Sequence, residues 1–411
     1  MPFTFCLLMQ YDVIVIGAGL AGLVAATRHA QAGRRTLLLA KGHGTLSWSS
    51  GGIDLWPSVN PRASIAALQS PHPYALAGLA ALDAALDWLQ ITARAAGYPL
   101  AGSSANTLHL PTALGTWRPT ALVSNTMLAA ERDSLRAGAV LVVGWRELRD
   151  FYPPMLAAQL TAQGIAAHGL YLPPPPSERT LDFPSTQMAR LFENAGFRAA
   201  IGEQLRERRG AARVIVLPAV LGLSNAAAIV AELQTRSGAL IAEVPTLPTN
   251  VPGLRLQQIL LAAFEHAGGR LQLNAEVACG EWDGDVLQTV WTRAAAREQR
   301  HSAAQFVLAT GGIGGGGLRA EYPAGLRETA LDLPVSQPAE HDEWFAADYR
   351  ADQPIYTAGI AVNSALQPIN QHGAVIAANV RVAGAALAGA DLIRQRCVEG
   401  VALATGWRAG A

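Results

Sequence analysis

The sequence predicts an α/β protein in which a doubly wound, Rossmann-like domain is interrupted by an inserted α+β cap domain. Three observations predict this fold. Residues 11–41 read as a strand, a glycine turn, a helix and a second strand, and residues 305–312 repeat the pattern of a buried strand that ends in glycine. The intervening residues, rich in alanine and proline, fit neither half of that pattern and therefore indicate an insertion.

The first strand and the turn after it indicate a nucleotide site. Residues 13–16 are all apolar, as in a parallel strand that is covered on both faces. Gly17, Gly19 and Gly22 follow in the order G-x-G-x-x-G: the first permits a sharp turn, the second allows a phosphate to approach the backbone, and the third allows the helix to pack on the strand. This spacing predicts an FAD/NAD(P)-binding type of domain, with the anion held at the helix N-terminus.

The second strand ends without the acid that usually binds the adenosine ribose. Ala40 and Lys41 stand where a dinucleotide-binding unit commonly has Asp or Glu. A cation cannot accept hydrogen bonds from a ribose diol, but it can hold a phosphate. We therefore expect a ligand without the adenosine half, namely FMN, with FAD as the alternative; a ligand with an extra phosphate and a solvated Lys41 with no ligand role also remain open.

Three further glycine-rich segments are candidate cofactor contacts. The loop at residues 42–56 has backbone N–H groups and hydroxyls that can face a flavin ring or a phosphate, although an ordinary polar loop would look the same. The segment at residues 379–389 is predicted to be a strand and a glycine turn before a helix at residues 390–399, whose N-terminus would face the ring. The predicted cofactor contacts in these segments and at the strand end LATGG are Ser49, Ser50, Gly51, Gly52, Gly311, Gly312 and Gly384.

The domain boundaries are predicted from changes in composition and residue pattern along the chain. Residues 1–60 and 270–411 are predicted to form the nucleotide-binding domain, and residues 61–269 the inserted cap, which would also meet partners. Within the second part of the binding domain, residues 271–273, 276–282 and 286–292 alternate as antiparallel strands.

Composition excludes several classes of protein. The 411 residues contain 31 Lys and Arg and 31 Asp and Glu, so there is no net field to attract nucleic acid or an anionic membrane. Three scattered cysteines predict neither a disulfide framework nor a cysteine-ligated cluster, and a reduced, cytoplasmic setting fits them. We expect no metal site and no membrane span. The first ten residues lack the basic start of a signal peptide, and Met9 is an alternative start.

Taken together, these motifs resemble the flavoproteins that include fumarate reductase and aspartate oxidase, and more closely the B subunits of anaerobic glycerol-3-phosphate dehydrogenase. The closer resemblance lies in segments spread in order over the chain: IGAGLAGL (residues 16–23), SSGGIDL (49–55), HPYAL (72–76), PTALGTWRPTAL (111–122), LPAVLGL (217–223), PTLPTNVPGLRLQ (245–257) and VWTR (290–293). The chain departs from that family at residues 388–400, where charged residues replace consecutive glycines.

The resemblance implies an FMN-bearing subunit of a complex that oxidises sn-glycerol 3-phosphate to dihydroxyacetone phosphate. It implies as partners an FAD-containing catalytic subunit and a membrane-associated iron–sulfur subunit, with electrons passing to quinone and the chain held at the inner membrane only through those partners. Two other hypotheses stay open: a self-sufficient FAD oxidoreductase of the fumarate reductase type, and a cofactor-free docking subunit that the altered C-terminal motif would allow.

Oxidation of a secondary alcohol requires a base for the hydroxyl proton and cations for the substrate phosphate. His72, held between two prolines, is the candidate base, although a surface histidine is the simpler interpretation. Arg118, in a Trp-Arg-Pro turn, and Arg255, just after the proline-rich loop, are the candidate oxyanion clamps, and a structural ion pair is the alternative for each.

Overall fold

The structure is a computed structural model that describes residues 11–173, 183–294 and 297–411. The alternative start at Met9 and the cysteine at position 6 lie outside the described residues. None of the described helices has the length and apolar character that are needed to cross a bilayer.

The strands of the described residues are β1 (Tyr11–Ile16), β2 (Thr36–Leu39), β3 (Leu100–Gly102), β4 (Leu108–Pro111), β5 (Trp117–Thr120), β6 (Leu122–Ser124), β7 (Val140–Trp145), β8 (Ala167–Leu172), β9 (Val214–Pro218), β10 (Leu240–Val244), β11 (Arg270–Gln272), β12 (Glu276–Asp283), β13 (Val286–Ala294), β14 (Arg297–Leu308), β15 (Leu318–Glu321), β16 (Gly325–Glu328) and β17 (Val380–Val382). The α-helices are α1 (Leu20–Gln31), α2 (Pro61–Ala66), α3 (Pro73–Ala77), α4 (Leu79–Ala95), α5 (Asn125–Leu128), α6 (Arg132–Arg136), α7 (Pro153–Ala162), α8 (Ser185–Leu191), α9 (Ala195–Arg208), α10 (Ala226–Ser237), α11 (Val251–His266) and α12 (Val398–Ala409).

The chain divides into two compact units, and both are discontinuous. Among the described residues, the first unit comprises residues 11–45, 62–88, 260–294 and 297–411, and the second comprises residues 46–61, 89–173 and 183–259. This division differs from the predicted boundaries mainly at two segments: residues 46–60 belong to the second unit, and residues 62–88 belong to the first. The reason for the latter is packing within the first unit, where α3 contacts α12 and the indole of Trp88 lies 6.0 Å from that of Trp407.

The first unit contains the nucleotide-binding type of sheet that the sequence predicts, which confirms the α/β class. Its strand order is β11-β2-β1-β14-β13-β12, with β17 paired to β14. The strands β11, β2, β1 and β17 and the C-terminal half of β14 are parallel, so Ile16, Leu39, Leu308 and Val382 end at one edge. Ligands of open α/β sheets bind at the carboxyl edge. The fold thus brings the loops after β1, β2, β14 and β17 to the same edge.

Two sequence-based assignments in this unit are wrong. The strand at residues 270–272 pairs in parallel with β2, not antiparallel with β12, because it extends the parallel sheet before the chain turns back. The helix predicted at residues 390–399 is absent, and the last helix begins at Val398. The Asp391 carboxylate accepts the Arg394 N–H and Arg396 has a left-handed φ of 48°, so local turns replace the helix there.

Small residues allow the first and last helices to pack closely. A Cβ at Gly406 of α12 would lie 2.5 Å from the Ala21 carbonyl oxygen of α1, and one at Gly410 would lie 3.0 Å from that of Ala25. The backbone of α12 therefore lies directly against α1, and the Gly384 N–H donates to the Thr405 hydroxyl of α12 at 2.9 Å. Because α1 carries the glycine turn at its N-terminus, α12 supports the position of that turn.

The second unit has its own core around a four-stranded parallel sheet of order β10-β9-β7-β8. Two antiparallel pairs, β3 with β6 and β4 with β5, are the other strands of this unit in the described part of the chain. The rings of Trp145 and Phe192 meet edge to face at 5.7 Å, and those of Phe192 and Phe197 at 5.0 Å. Each such pair contributes about 0.5–1.5 kcal/mol beyond the area it buries.

A buried histidine in α1 makes the first unit sensitive to acid. His29 is fully buried, and its Nδ1 accepts from the Arg34 guanidinium at 3.1 Å. Burial, and then the positive charges of Arg34 and Arg381, lowers the pKa of His29 to about 4. The unfolded chain therefore binds more protons than the folded chain between the ordinary histidine pKa and that value, so stability falls as pH falls through this window.

We expect His29→Asn to remove part of this acid sensitivity, because the amide oxygen can replace Nδ1 as the acceptor for Arg34 without binding a proton. Between pH 6.5 and 4 the wild-type chain should lose on the order of 3 kcal/mol more unfolding free energy than the variant. Urea unfolding at several pH values measures the difference. The exposed His372→Asn is the control and should follow the wild type; equal slopes for all three chains would contradict the assignment.

Candidate functional site

The turn between β1 and α1 requires glycine at two of its three motif positions. Gly17 has a φ of 110°, and a Cβ there would lie 2.3 Å from the Ala309 carbonyl oxygen. A Cβ at Gly22 would lie 1.8 Å from the Gly17 carbonyl oxygen. Both distances are impossible contacts, so these two glycines allow β1, α1 and the end of β14 to approach one another. Gly17 and Gly22 are therefore required by the fold itself, whether or not a ligand is bound.

Gly19 differs because no protein atom limits it. A Cβ at this residue would meet nothing within 4 Å, and its φ of −75° is open to any residue. It is the N-cap of α1, with no side-chain cap and no acidic residue in the first turn of the helix. A ligand therefore has room beside Gly19, and the unsatisfied backbone N–H groups and the dipole of a helix N-terminus suit a phosphate. The cradle thus fits the phosphate of a nucleotide cofactor.

The glycines after β14 and β17 lie at the same edge of the sheet. Gly311 has a φ of 87°, and a Cβ at Gly312 would lie 2.6 Å from the Ala385 carbonyl oxygen. Gly384 has a φ of 74°, and a Cβ there would lie 2.9 Å from that of Ala21 in α1. The structure therefore brings together the predicted contacts of the first unit: Gly17, Gly19, Gly22, Gly311, Gly312 and Gly384.

A buried hydroxyl at this edge supports a ligand. The Oγ1 atom of Thr310, in the loop after β14, is buried and has no hydrogen-bond partner among the described residues. Burial of a hydroxyl without a partner costs about 1–3 kcal/mol, and a bound polar group would remove that cost. The loop after β2 also reaches the glycine turn, since a Cβ at Gly44 would lie 2.9 Å from the Gly19 Cα.

Lys41 is paired with a carboxylate that is remote in sequence. Its Nζ lies 2.9 Å from Oε1 of Glu276, the first residue of β12. Both side chains are largely exposed, so the pair contributes at most about 1 kcal/mol. The end of β2 has no acid of its own, but Glu276 of β12 places a carboxylate there. Sequence reasoning missed this residue.

A cavity of about 600 Å³ opens beside this ion pair. It is lined in part by Lys41, Glu276, Arg293, Arg319 and Arg327, and in part by the glycine loop after β14. Basic side chains thus outnumber Glu276 and the other two acids, Glu321 and Glu328, on its wall. Three of these basic groups are paired, Lys41 with Glu276, Arg319 with Glu321 and Arg327 with Asp332, so the wall is nearly balanced in charge. Such a wall offers hydrogen bonds to a polar ligand.

The predicted contacts at residues 49–52 belong to the second unit. The Ser49 hydroxyl accepts the Gly51 N–H at 3.2 Å, and the Ser50 hydroxyl accepts the Gly52 N–H at 3.3 Å. A Cβ at Gly51 would lie 2.4 Å from that of Pro252, so the segment packs against the start of α11. Its glycine is thus required locally, and the role of Ser49, Ser50, Gly51 and Gly52 toward a cofactor stays a prediction.

His72 is the N-cap of α3 and is buried, contrary to the surface position considered for it. Its Nδ1 accepts the Tyr74 N–H at 3.2 Å, and its Nε2 lies 3.2 Å from Gln395 Oε1. Since an amide oxygen only accepts, Nε2 carries the proton and the ring is neutral. Burial lowers the pKa of His72, and the bond to Gln395 opposes this effect. The Nδ1 lone pair thus serves the helix cap, which is a structural role, and the role of His72 as a general base stays a prediction.

Arg118 lies in β5 and is paired with Asp54. Its Nη2 lies 2.7 Å from Asp54 Oδ2, and its Nε donates to the same oxygen at 2.8 Å. Asp54 is almost fully buried, whereas about a third of the Arg118 side chain is exposed. The guanidinium is thus held by a carboxylate of its own unit, and its role as an oxyanion clamp stays a prediction.

Arg255 does not have the geometry of a substrate clamp. Its side chain is 2% exposed; Nη1 lies 2.6 Å from Glu243 Oε2, and Nη2 lies 2.9 Å from Oε1. Nε and Nη2 also donate to the Gly222 carbonyl oxygen. Burial opposes the charge, but Glu243, together with Tyr98, outweighs it and raises the pKa of Arg255. The clamp assignment is therefore corrected to a buried structural ion pair.

Comparison with known proteins agrees with the geometry. A family model described as "FAD binding domain" matches residues 12–401. The B subunit of the anaerobic glycerol-3-phosphate dehydrogenase of Yersinia pestis is 31% identical over 416 residues, covering 96% of this chain and 96% of the relative. The chain belongs to this family of B subunits, whose fold is an FAD-binding domain.

Other members of the family are similar to a comparable degree over nearly their full length. A probable B subunit of the anaerobic glycerol-3-phosphate dehydrogenase of Halobacterium salinarum is 30% identical and covers 98% of this chain and 97% of its own length. The corresponding protein of Vibrio cholerae is 29% identical, with coverage of 98% and 96%. Membership confirms the resemblance expected from the motifs, and it assigns the chain to the flavoproteins.

Among solved structures, the 3-ketosteroid-Δ4-(5α)-dehydrogenase of Rhodococcus jostii RHA1, in complex with 4-androstene-3,17-dione, is similar over 99% of this chain and 96% of its own. The identity is 10% and the TM-score is 0.36, values too low to carry a conclusion about this chain.

Sequence reasoning missed three residues of the candidate site region. Glu276 and Thr310 lie next to predicted contacts, and Gln395 orients His72. Thr310 stands inside the LATGG motif, so its place in a loop after a parallel strand was available from the sequence. The other two are paired with residues 235 and 323 positions away, and only tertiary structure brings them there.

Proposed function

We propose that this chain is the flavin-carrying subunit of a multi-subunit dehydrogenase that oxidises sn-glycerol 3-phosphate to dihydroxyacetone phosphate. The observation that carries the proposal is the open phosphate cradle at Gly19, in a chain that is similar over its whole length to proteins named as the B subunit of that enzyme. The other subunits are an FAD-containing catalytic subunit and a membrane-associated iron–sulfur subunit, through which electrons reach quinone.

In this proposal the alcohol is oxidised on the catalytic partner, and this chain serves as an electron relay. A bound flavin accepts two electrons together and can release them one at a time, which suits transfer to iron–sulfur clusters. The candidate base, His72, already uses its Nδ1 atom to cap α3. The candidate oxyanion clamps, Arg118 and Arg255, are held by the carboxylates of Asp54 and Glu243. The residues of this chain hold the cofactor, with α1 facing its phosphate and Gly384 and its neighbours lining the same edge.

We expect the purified chain alone to be nearly inactive with glycerol 3-phosphate and an artificial dye. Addition of the FAD-containing subunit should raise turnover about tenfold or more, because proton removal and hydride loss from the substrate then occur on the partner. Steady-state dye reduction by the separate subunits and by their mixture measures this effect. High turnover by the single chain would overturn the relay proposal and favour a self-sufficient oxidoreductase.

For the cofactor we propose FMN, because Lys41 follows β2 where a ribose-binding acid is usual and because the cradle at Gly19 suits one phosphate group. FAD is the second candidate, and the specific observation in its favour is the Glu276 carboxylate beside Lys41 on the wall of the 600 Å³ cavity, which can accept hydrogen bonds from a ribose diol.

Mass spectrometry of the flavin released from the purified chain distinguishes the two candidates. FMN is the expected product. Recovery of FAD would contradict the proposal, and weaker FAD binding by Glu276→Gln would then assign Glu276 to the ribose. Recovery of no flavin at all, from protein purified with its partners, would favour the cofactor-free docking subunit.

A further inference from the structure

The segment from residue 340 to residue 357, here called the aromatic loop, exposes three large aromatic side chains. Tyr349 is 82% exposed, Phe345 58% and Tyr356 50%. The rings of Phe345 and Tyr356 meet edge to face at 6.3 Å, and the Arg350 guanidinium lies 5.8 Å from the centre of the Tyr349 ring. Exposed aromatic groups of this kind mark interaction sites, since Tyr and Phe are enriched in interface cores.

The aromatic loop is held in place by a buried polar residue. Gln353 is 5% exposed; its Oε1 accepts the Ala346 N–H at 2.7 Å, and its Nε2 donates to the carbonyl oxygens of Asp348 and Ala351 at 3.0 and 2.9 Å. Ile355 is buried and packs with Leu326 and Trp344 beneath the loop. The loop thus presents its aromatic side chains from an ordered backbone, and preorganisation of this kind reduces the entropy lost on binding.

The rim of the aromatic loop is acidic. Glu340, Asp342 and Glu343 are exposed, and no ion pair is found for them among the residues that the structure describes. Asp348 is paired with Arg350 at 3.2 Å, so that acid is neutralised. An apolar centre with three unneutralised carboxylates beside it is complementary to an apolar patch bordered by Lys and Arg.

The loop is continuous with the backbone that is predicted to line the flavin. The Gly389 N–H donates to the Thr357 carbonyl oxygen at 2.9 Å, and the Ile360 N–H donates to that of Ala386 at 2.8 Å. Gly384, a predicted flavin contact, begins the same short 3-10 turn that contains Ala386. A partner on the aromatic loop would therefore approach the flavin edge of the first unit, as electron transfer requires.

We propose that the aromatic loop is the docking surface for a partner subunit whose own patch is apolar and bordered by Lys and Arg. The proposal rests on the proposed function, which requires partner subunits. A second copy of this chain is disfavoured, because a two-fold interface would set the acidic rim against itself. An anionic membrane is disfavoured for the same reason, since both surfaces carry negative charge.

The test uses the full chain with its flavin and the two purified partner subunits, the FAD-containing and the iron–sulfur subunit, in a direct binding measurement. Phe345→Ala combined with Tyr349→Ala should raise the Kd for one of them about tenfold or more, because truncation removes central aromatic contacts. Asp342→Lys combined with Glu343→Lys should also weaken binding and reduce its salt dependence. The control is Tyr152→Ala, a similarly exposed tyrosine of the second unit, which should bind as the wild type does.

Each outcome decides the proposal. An unchanged Kd for the aromatic variant, with wild-type binding intact, overturns the docking surface but leaves the proposed function standing. Failure of the wild-type chain to bind either partner overturns both. A wild-type dimer in light scattering that the aromatic variant abolishes assigns the loop to self-association, and binding of the chain to anionic vesicles that the aromatic variant abolishes assigns it to a membrane; either result overturns the proposal. Flavin content and urea unfolding of the variants should match the wild type, since the altered side chains are exposed.

Discussion

Gly19→Asp is expected to abolish flavin binding without loss of the fold. A Cβ at this position would meet no protein atom within 4 Å, and Asp is a favoured N-cap residue, so α1 should be as stable as before or more so. Its carboxylate would occupy the open space at the helix N-terminus and repel the cofactor phosphate. Two negative charges about 4 Å apart repel by roughly 4 kcal/mol at a partly exposed site, so we expect flavin affinity to fall about a hundredfold or more.

Flavin absorbance of the purified protein and titration of the stripped protein with FMN measure the loss. Gly19→Asn is the matched variant without the charge and should lose less affinity. Gly22→Ala is the structural comparison: its Cβ would lie 1.8 Å from the Gly17 carbonyl oxygen, so it should lower the stability of the flavin-free chain as well. Wild-type flavin content in Gly19→Asp would exclude the cradle as the phosphate site.

The second large effect is expected from Glu243→Gln in the second unit. Glu243 and Arg255 form a bidentate, fully buried ion pair, and Glu243 Oε1 also accepts the Leu221 N–H at 2.8 Å. The pair thereby joins β10, the loop after β9 and α11. Removal of the carboxylate charge leaves the guanidinium buried and uncompensated, which costs about 3–5 kcal/mol of unfolding free energy.

Urea unfolding of the flavin-free chain, followed by circular dichroism, measures this cost. Asp83→Asn is the control, because Asp83 pairs with Arg62 at 2.8 Å on an exposed surface and its loss should cost at most about 1 kcal/mol. The double variant Glu243→Gln, Arg255→Met should recover part of the stability, since no charge is then buried. If Glu243→Gln costs as little unfolding free energy as the control, the Arg255 guanidinium finds another compensating partner, and the expectation is wrong.

The C-terminal segment shows why a local pattern can mislead. Residues 390–399 contain good helix formers, and from the sequence a helix N-terminus after Gly389 was expected to face the flavin. In the structure Gly389 packs against the Pro71 carbonyl oxygen, which a Cβ would approach to 2.6 Å, and Arg394 donates to the carbonyl oxygens of Tyr349 and Arg350. These tertiary contacts hold the segment in turns, so packing against remote segments outweighs the local helix propensity.

The candidate arginines also show that a local sequence pattern does not identify the charged partner of a side chain. The sequence identifies an arginine after a proline-rich loop, but not whether a carboxylate lies beside it. Arg255 meets Glu243, only 12 residues away, in the interior, and Arg118 meets Asp54, 64 residues away. Both partners of the Arg255 pair are buried, so that arginine is a structural element, whereas about a third of the Arg118 side chain stays exposed beside a buried acid. The burial that separates the two cases arises only from packing.

The sequence by itself determined the glycine turn after β1, the buried parallel strands on either side of it, the α/β class and the family. These features follow from short-range chemistry: a positive φ or an absent Cβ requires glycine, and apolar runs require cover on both faces. Only the tertiary structure decided that Glu276 stands beside Lys41, that Arg255 is buried, and that residues 62–88 pack in the first unit. Those facts depend on which distant segments meet, and the free energy of such contacts is set by burial and by partners that no local pattern encodes.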